Sequence, residues 1–334
     1  MTIVFAHPRF RDHDTRLGSA HPEHPGRLTA IEAELERRRL WTSPDVTRGD
    51  VLAAGPVDPL LLGAVHHPAV LERARAAAQR VAEGGGGEAV YLDPDTPLSR
   101  DSVDVALLAA GTAVAAVREV ASGAHGSALC LLRPPGHHAT PATSMGFCIF
   151  NNVAVAARAA QRLHGLGRVL IVDWDVHHGN GTQDAFYDDD SVTFFSIHRH
   201  PFYPGTGRET ETGTGKGLGA TVNVPLAFGT PREQFVERFR AGLERAAERA
   251  RPELVLISAG FDAHAADPVG NLGLASDDYG TLTRLVCDVA DVYCDGRIVS
   301  CLEGGYDLTA LGESVATHLE ALVARSLRRS PATP

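Results

Sequence analysis

Seven short runs of this chain are apolar or β-branched at nearly every position: "TIVFA", "SALCLL", "RVLIVD", "SVTFFSIH", "ATVNV", "ELVLIS" and "RIVSCL". A strand with one wet face alternates polar and apolar residues, whereas a strand covered on both faces does not. Stretches of helical periodicity lie between and around these runs: "GRLTAIEAELERRRL", "VALLAAGTAVAAVREV", "NNVAVAARAAQRLHG", "REQFVERFRAGLERAAERA" and "YGTLTRLVCDVADVY". Continuous apolar strands alternating with helices require an α/β fold, a central parallel sheet with helices on both faces. No shift in composition marks a linker and no repeat recurs. We therefore read one domain over residues 1–325, followed by a short C-terminal tail at 326–334.

Of the 334 residues 44% are hydrophobic, enough for a sizeable core. Lys and Arg number 31 against 41 Asp and Glu, a net charge of −10. Binding to nucleic acid depends on clustered cations that release counterions, so no direct nucleic-acid partner is expected. The cysteines Cys130, Cys148, Cys287, Cys294 and Cys301 form no Cys-x-x-Cys pair, and four lie in or beside apolar runs. That is the pattern of inert thiols in a reducing compartment. The start, "MTIVFAHPRFRDHD", lacks the apolar length of a signal peptide, and no segment approaches a membrane span. A soluble, cytoplasmic protein without a membrane partner is expected, and nothing in the composition forbids a homo-oligomer. Two glycine-rich stretches fail as phosphate-binding loops. "EGGGGEAV" at 83–90 lacks Lys-Ser/Thr and reads as a surface turn, while in "TGTGKGLG" Gly217 follows Lys216 where Ser or Thr is needed.

Ligands of open α/β sheets bind beyond the carboxyl ends of the strands. "SALCLL" runs into "RPPGHHA" and delivers Arg133, His137 and His138. "RVLIV" delivers Asp173, Asp175, His177, His178 and Asn180. "FFSIH" ends in His198 and Arg199, "LVLIS" leads to Asp262 and His264, and "RIVSCL" leads to Tyr306. Taken singly, each group has an ordinary explanation. An Asp after a strand caps a helix, a lone His is hydrogen-bonded in a core, and Gly304-Gly305 shapes a turn. Five strands aiming acid, base and phenol groups at one edge are more than a set of independent caps. Asp173 and Asp175 share a face of extended chain, and His177 continues the parity. Buried carboxylates are costly unless paired or bound to a metal. Asp175, His177 and Asp262 would make an oxygen-nitrogen-oxygen donor set with open positions, the layout of a catalytic rather than a structural metal.

The motifs "HPEHPGR", "RPPGHHA", "GFCIFNN", "DWDVHHGNGT", "FYPGTG", "AGFDAH" and "EGGYD" occur in order between His21 and Leu308. With them the chain resembles the histone deacetylase family, and within it the bacterial class II-like deacetylases, acetoin-utilisation-type proteins and acetylpolyamine amidohydrolases. The resemblance implies the arginase-deacetylase α/β fold and one Zn²⁺ per chain on Asp175, His177 and Asp262. It makes His137 and His138 the acid-base pair, with Asp173 orienting His137 and the neutral Asn180 leaving His138 less basic. Tyr306 becomes the phenol that polarises the scissile carbonyl. Phe147 and Tyr203 match the walls of an acyl-lysine tunnel that Gly304 also lines, and Arg27 matches the cavity through which acetate leaves. Structural K⁺ is implied at Asp173, Asp175, His177, Ser196 and Ile197, and a second monovalent ion at Phe186, Asp189 and Val192. The rim aspartate of class I enzymes falls near Leu92, with Asp93 and Asp95 beside it. At the tunnel mouth, Val269 stands where polyamine-selective relatives carry an acid.

The implied reaction is hydrolysis of an N-acetyl amine, such as the acetyl-lysine side chain, to acetate and a free amine. An acetylpolyamine or a small acylated metabolite is the alternative substrate. A ureohydrolase of the arginase type would need a second metal and an Asp-x-His-x-Asp run, but Gly179 stands two residues beyond His177. A non-catalytic sensor of acetylated ligands would need neither the His pair nor Tyr306.

Overall fold

In a computed structural model, which describes residues 1–16, 21–84 and 90–329, the apolar runs pair as their pattern requires. The strands are β1 Thr2–Phe5, β2 Val46–Gly49, β3 Val90–Tyr91, β4 Pro97–Leu98, β5 Ser127–Cys130, β6 Val169–Asp173, β7 Val192–Arg199, β8 Thr221–Leu226, β9 Leu254–Ala259 and β10 Ile298–Leu302. Among the described residues eight of them form one sheet in the order β2-β1-β5-β10-β9-β6-β7-β8. Every neighbouring pair in that sheet is parallel. β3 and β4 form a separate antiparallel hairpin whose turn carries Asp93 and Asp95.

All residues of β6, β9 and β10 are buried, so both faces of the sheet are covered there. The helices are α1 Gly26–Arg37, α2 Val51–Ala54, α3 Pro59–Leu62, α4 Pro68–Ala82, α5 Ser102–Ala121, α6 Asn152–His164, α7 Asn180–Phe186, α8 Arg232–Ala250, α9 Ser276–Tyr293 and α10 Leu308–Arg329. α5 packs on α6, while α1, α10, α9 and α8 pack in succession. α8 shows why its sequence folds this way. Phe235, Phe239, Leu243, Ala246, Ala247 and Ala250 recur at helical spacing and are buried, with charged residues between them. Phe239 meets Trp174 and Phe195 with ring centroids 6.1 and 5.4 Å apart. Truncating such a ring to Ala costs ~3–5 kcal/mol.

The seven expected strands and five expected helices are present. β2, β3, β4, α2, α3, α4, α7 and α10 go beyond those expectations. β2, "VTRG", is a polar edge strand that is half exposed and leaves no apolar run to detect. α4 opens at Pro68 after His67, whose ring accepts the Ala69 N–H at 3.3 Å. α10 continues to Arg329, four residues past residue 325. The glycine run read as a surface turn falls mostly on residues 85–89, outside the described residues, whereas "TGTGKGLG" is a loop with one short turn at Gly215–Gly217. All five cysteines are buried and none is joined in a disulfide. No described helix is long and apolar enough to cross a membrane.

Four imidazoles in this core sit below their ordinary 6.5, chiefly through burial: His13 and His318 at about 3, His66 and His198 at about 4. A folded pKa below the unfolded one means that the unfolded chain binds more protons, so stability is lost as pH falls below about 6.5. Each such group contributes a slope of ~1.4 kcal/mol per pH unit until its folded pKa is reached. His318 is bonded to the Thr283 hydroxyl at 2.6 Å and the Ser300 hydroxyl at 3.0 Å. Urea unfolding of wild type and His318→Gln between pH 7 and 5 is expected to show a slope smaller by that amount in the variant. Equal slopes would mean that His318 titrates alike in both states.

Candidate active site

β6 ends at Asp173, and the chain then crosses the sheet edge to the start of α7 at Asn180. Carboxylates brace this crossing. Asp173 Oδ1 accepts the Asp175 N–H at 3.1 Å, and Asp175 Oδ1 accepts the His177 N–H at 2.9 Å. Asp262, just beyond β9, accepts the Val176 N–H at 2.8 Å, and Asp175 Oδ2 accepts the Gly304 N–H at 2.9 Å. The donor atoms of Asp175, His177 and Asp262 converge within 4.8 Å of one another, and all three residues are buried. His177 Nδ1 lies 3.0 Å from Asp175 Oδ1 and 3.2 Å from Asp262 Oδ2. Asp262 Oδ2 is buried without a hydrogen bond of good geometry among the described residues. A Cβ on Gly304 would overlap Asp262 Oδ2 and Asp175 Oδ2, so the cradle stays open because residue 304 is glycine. Burial, and then the charge of Asp175, pushes the Asp262 carboxyl up to about 7. Two buried carboxylates facing one imidazole, with an unsatisfied oxygen aimed inward, fit a divalent cation.

The two imidazoles of "RPPGHHA" are held differently. His137 donates Nδ1–H to Asp173 Oδ2 at 2.9 Å, and His138 donates Nδ1–H to Asn180 Oδ1 at 2.8 Å. Burial lowers both rings, but for His137 the Asp173 and Asp175 carboxylates outweigh it and raise the pKa to about 10. For His138 burial is reinforced by the neighbouring His137 and His177, and the ring falls well below 6.5. One ring is thus charged and the other neutral, with their centroids 4.0 Å apart. A Cβ at Gly179 would overlap Asp173 Oδ2 and crowd His137 Nδ1. The carboxylate that a second metal would need at residue 179 has no room.

These groups open into a cavity of about 230 Å³ whose lining includes His137, His138, His177, Gly304 and Tyr306. Phe147, Phe202, Tyr203, Val269 and Asp95 line its outer part. Phe147 stands edge-on to Tyr306 at 5.9 Å, and Tyr203 edge-on to His138 at 5.1 Å. Burial, and then the Asp262 charge, holds the Tyr306 phenol well above 10. Arg27 is fully buried behind it, 5.1 Å from the ring centroid, and donates Nε–H to Gly305 O at 2.7 Å. Leu92 does not line the cavity. The carboxylate there is Asp95, which burial, and then the neighbouring Asp93, raises to about 6.

Other strand-end groups serve elsewhere. His264 accepts the Ala266 N–H, His198 bridges the Ser196 hydroxyl and Gly207 O, and Arg133 pairs with Glu23. Ser196 lies opposite Asp173 in the sheet, beside Ile197, and Val192 opens the same strand. Asp189 pairs with Arg158 at 2.7 Å, and that guanidinium covers the ring of Phe186 at 4.7 Å. Two acids near the site were not singled out from the sequence. Glu303 accepts the Gly136 and His137 N–H groups at 2.6 and 3.2 Å, and Asp267 accepts the Tyr306 N–H at 2.7 Å and the Val269 and Gly270 N–H groups at 2.9 Å. Glu303 follows an apolar strand as Asp173 does, and Asp267 opens an Asp-Pro turn, so both carried a signal.

Fold and site together define a metal-dependent hydrolase built on a parallel α/β sheet. The chain belongs to the histone deacetylase family: the histone deacetylase domain matches residues 21–322. It is 38% identical over 314 residues to histone deacetylase 14 of Arabidopsis thaliana, a chloroplastic protein, covering 91% of this chain and 73% of that one. It is 39% identical over 287 residues to a histone deacetylase-like amidohydrolase of Pseudomonas aeruginosa, covering 84% and 74%. Human polyamine deacetylase HDAC10 is 40% identical over 313 residues, covering 90% of this chain and 44% of its own. Among solved structures, the HDA15 HD domain superposes with a TM-score of 0.88 at 35% identity, covering 97% and 89%.

Elemental analysis of the purified protein is expected to find about one divalent metal per chain, as a mononuclear site requires. His177→Ala should lose it. Full retention in that variant would place the metal elsewhere.

Proposed function

We propose that the protein is a zinc-dependent amidohydrolase that removes acetyl groups from amines, the acetyl-lysine side chain foremost, and releases acetate. The convergence of a neutral imidazole, a protonated phenol and a three-donor metal cradle in one aromatic-walled cavity carries this assignment. Names of relatives point the same way, one an amidohydrolase and one a polyamine deacetylase.

The aromatic walls around Phe147, Phe202 and Tyr203 suit an uncharged methylene chain threaded inward. A divalent ion at Asp175, His177 and Asp262 supplies, when bound, the Lewis acidity that polarises an amide carbonyl and makes water nucleophilic near neutral pH. His138, with its Nδ1–H committed to Asn180, presents a lone pair on Nε2 and takes the proton of the attacking water. The same ring returns that proton to the departing amine, while the imidazolium of His137, anchored by Asp173, keeps positive charge beside the developing oxyanion. Environments that push two neighbouring groups apart in pKa assign their roles in this way. Tyr306, kept protonated, donates its O–H to the oxyanion, and acetate leaves past Arg27.

A second reading, an acetylpolyamine as substrate, is favoured by Asp95, a partly exposed carboxylate in the cavity lining that can meet a second ammonium. A carboxylate close to a cation gains ~4 kcal/mol at 4 Å and an effective dielectric of 20, and Val269 offers none of it. Tyr306→Phe should keep fold and metal while lowering kcat by ~10²-fold or more. An unchanged rate would assign the oxyanion to another donor. Wild type is expected to hydrolyse acetyl-lysine peptides at least as well as acetylspermidine, and Val269→Glu to shift preference towards the polyamine. A ten-fold wild-type preference for acetylspermidine in kcat/KM, about 1.4 kcal/mol, would reverse this order of substrates.

A further inference from the structure

Arg199 closes β7 at the edge of the site, and none of the chemistry above uses it. Its backbone N–H donates to Val176 O at 2.8 Å, between two members of the metal cradle. Its guanidinium lies against two rings, 4.1 Å from the centroid of Phe202 and 4.5 Å from that of Phe228. Phe202 in turn stacks on His177 at 5.1 Å with the planes 14° apart. A column of planar groups therefore runs from Phe228, 63% exposed, through Arg199 and Phe202 to His177, 7% exposed. The guanidinium also reaches sideways, where Nη1 donates to Gly270 O at 3.1 Å. Gly270 adjoins Val269, and both donate their N–H groups to Asp267, the residue that accepts the Tyr306 N–H.

One cation thus bridges the Phe202–Tyr203 wall and the Val269 wall. Arg199 Nε is buried with no hydrogen-bond partner among the described residues, so ring faces and one carbonyl hold the group. A planar, weakly hydrated guanidinium can stack on aromatic rings and donate in its own plane at the same time, whereas a lysine ammonium, a point charge, cannot.

We propose that Arg199 is a positioning residue that sets the separation of these two cavity walls and so how tightly the acylated amine is gripped. It acts through Phe202 and Gly270 without touching substrate. The inference rests on the deacetylase reading of the cavity. It is tested by kcat and KM on an Nε-acetyl-lysine peptide, with metal content and Tm, for wild type, Arg199→Gln, Arg199→Lys and Phe228→Leu. Arg199→Gln is expected to raise KM about ten-fold with kcat within about two-fold and metal retained, the signature of lost uniform binding. Arg199→Lys should fail to restore KM, and Phe228→Leu, a change at a mostly exposed ring, should raise it about three-fold by the same loss. A KM within about two-fold of wild type in Arg199→Gln would overturn the proposal, and so would a fall in kcat that tracks metal loss at constant KM. If the Arg199 variants do not fold, Phe228→Leu decides, an unchanged KM counting against the strut. Anisotropy of a fluorescein-labelled Nε-acetyl-lysine peptide in the Tyr306→Phe background reads the grip without turnover and should weaken about ten-fold on adding Arg199→Gln. Wild-type enzyme inert towards every acetylated amine would sink the deacetylase reading. Normal wild-type turnover with unmoved KM and affinity in the variants would sink the strut alone.

Discussion

Two like charges buried at one point govern this structure. Asp175 and Asp262 are 1% and 0% exposed and share a single imidazole, His177. Removing ions from water costs several kcal/mol each, and backbone donors alone offset only part of it. The N–H groups of Val176, His177 and Gly304 supply that part. A divalent cation held by Asp175, His177 and Asp262 would supply the rest. Strand order makes the arrangement possible, because β10, β9 and β6 are neighbours and their carboxyl ends carry Gly304, Asp262 and Asp175 side by side. β5, next to β10, brings His137 and His138 to the same place.

A second charge cluster of opposite excess lies behind the first. Glu23 accepts from Arg27 at 3.0 Å and from Arg133 at 2.7 Å, with all three side chains fully buried. Burial alone would raise the Glu23 carboxyl, yet Arg133 and Arg27 hold it below the usual carboxylate range. Arg27 also donates to the carbonyls of Gly305 and Glu303, so the cluster fastens the segment that follows His21 to the turn carrying Tyr306. Removing one member of such a buried pair leaves an uncompensated charge worth ~3–5 kcal/mol. The phenol of Tyr306 therefore stands between an anionic cradle and a cationic support, which fixes its ring while burial keeps its proton.

Much of this is legible in the sequence. Runs such as "RVLIVD" and "ELVLIS" lack alternation, which identifies strands covered on both faces, and the acids that end them mark the ligand edge. β2 leaves no such trace, because an edge strand needs no apolar run. Asp93 and Asp95 both stand out in the sequence as rim carboxylates, and the turn of a short hairpin, β3 with β4, decides that Asp95 lines a site remote in sequence. Glu303 and Asp267 carry the signals of a strand end and an Asp-Pro turn, but the backbone N–H groups of Gly136, His137 and Tyr306 that they accept are not marked by any side chain in the sequence.

The sequence by itself determined the fold class, the edge at which chemistry occurs and the residue types gathered there, because strand burial and strand-end polarity are periodic, local properties. Tertiary structure decided what no local pattern encodes. It set the adjacency of β10, β9 and β6 that turns three distant residues into one cradle, and the unequal surroundings that leave His137 charged beside a neutral His138. It also stacked Arg199 between two rings contributed by separate loops. Such features depend on distances between segments far apart in the chain, and electrostatic and packing energies follow those distances rather than sequence order.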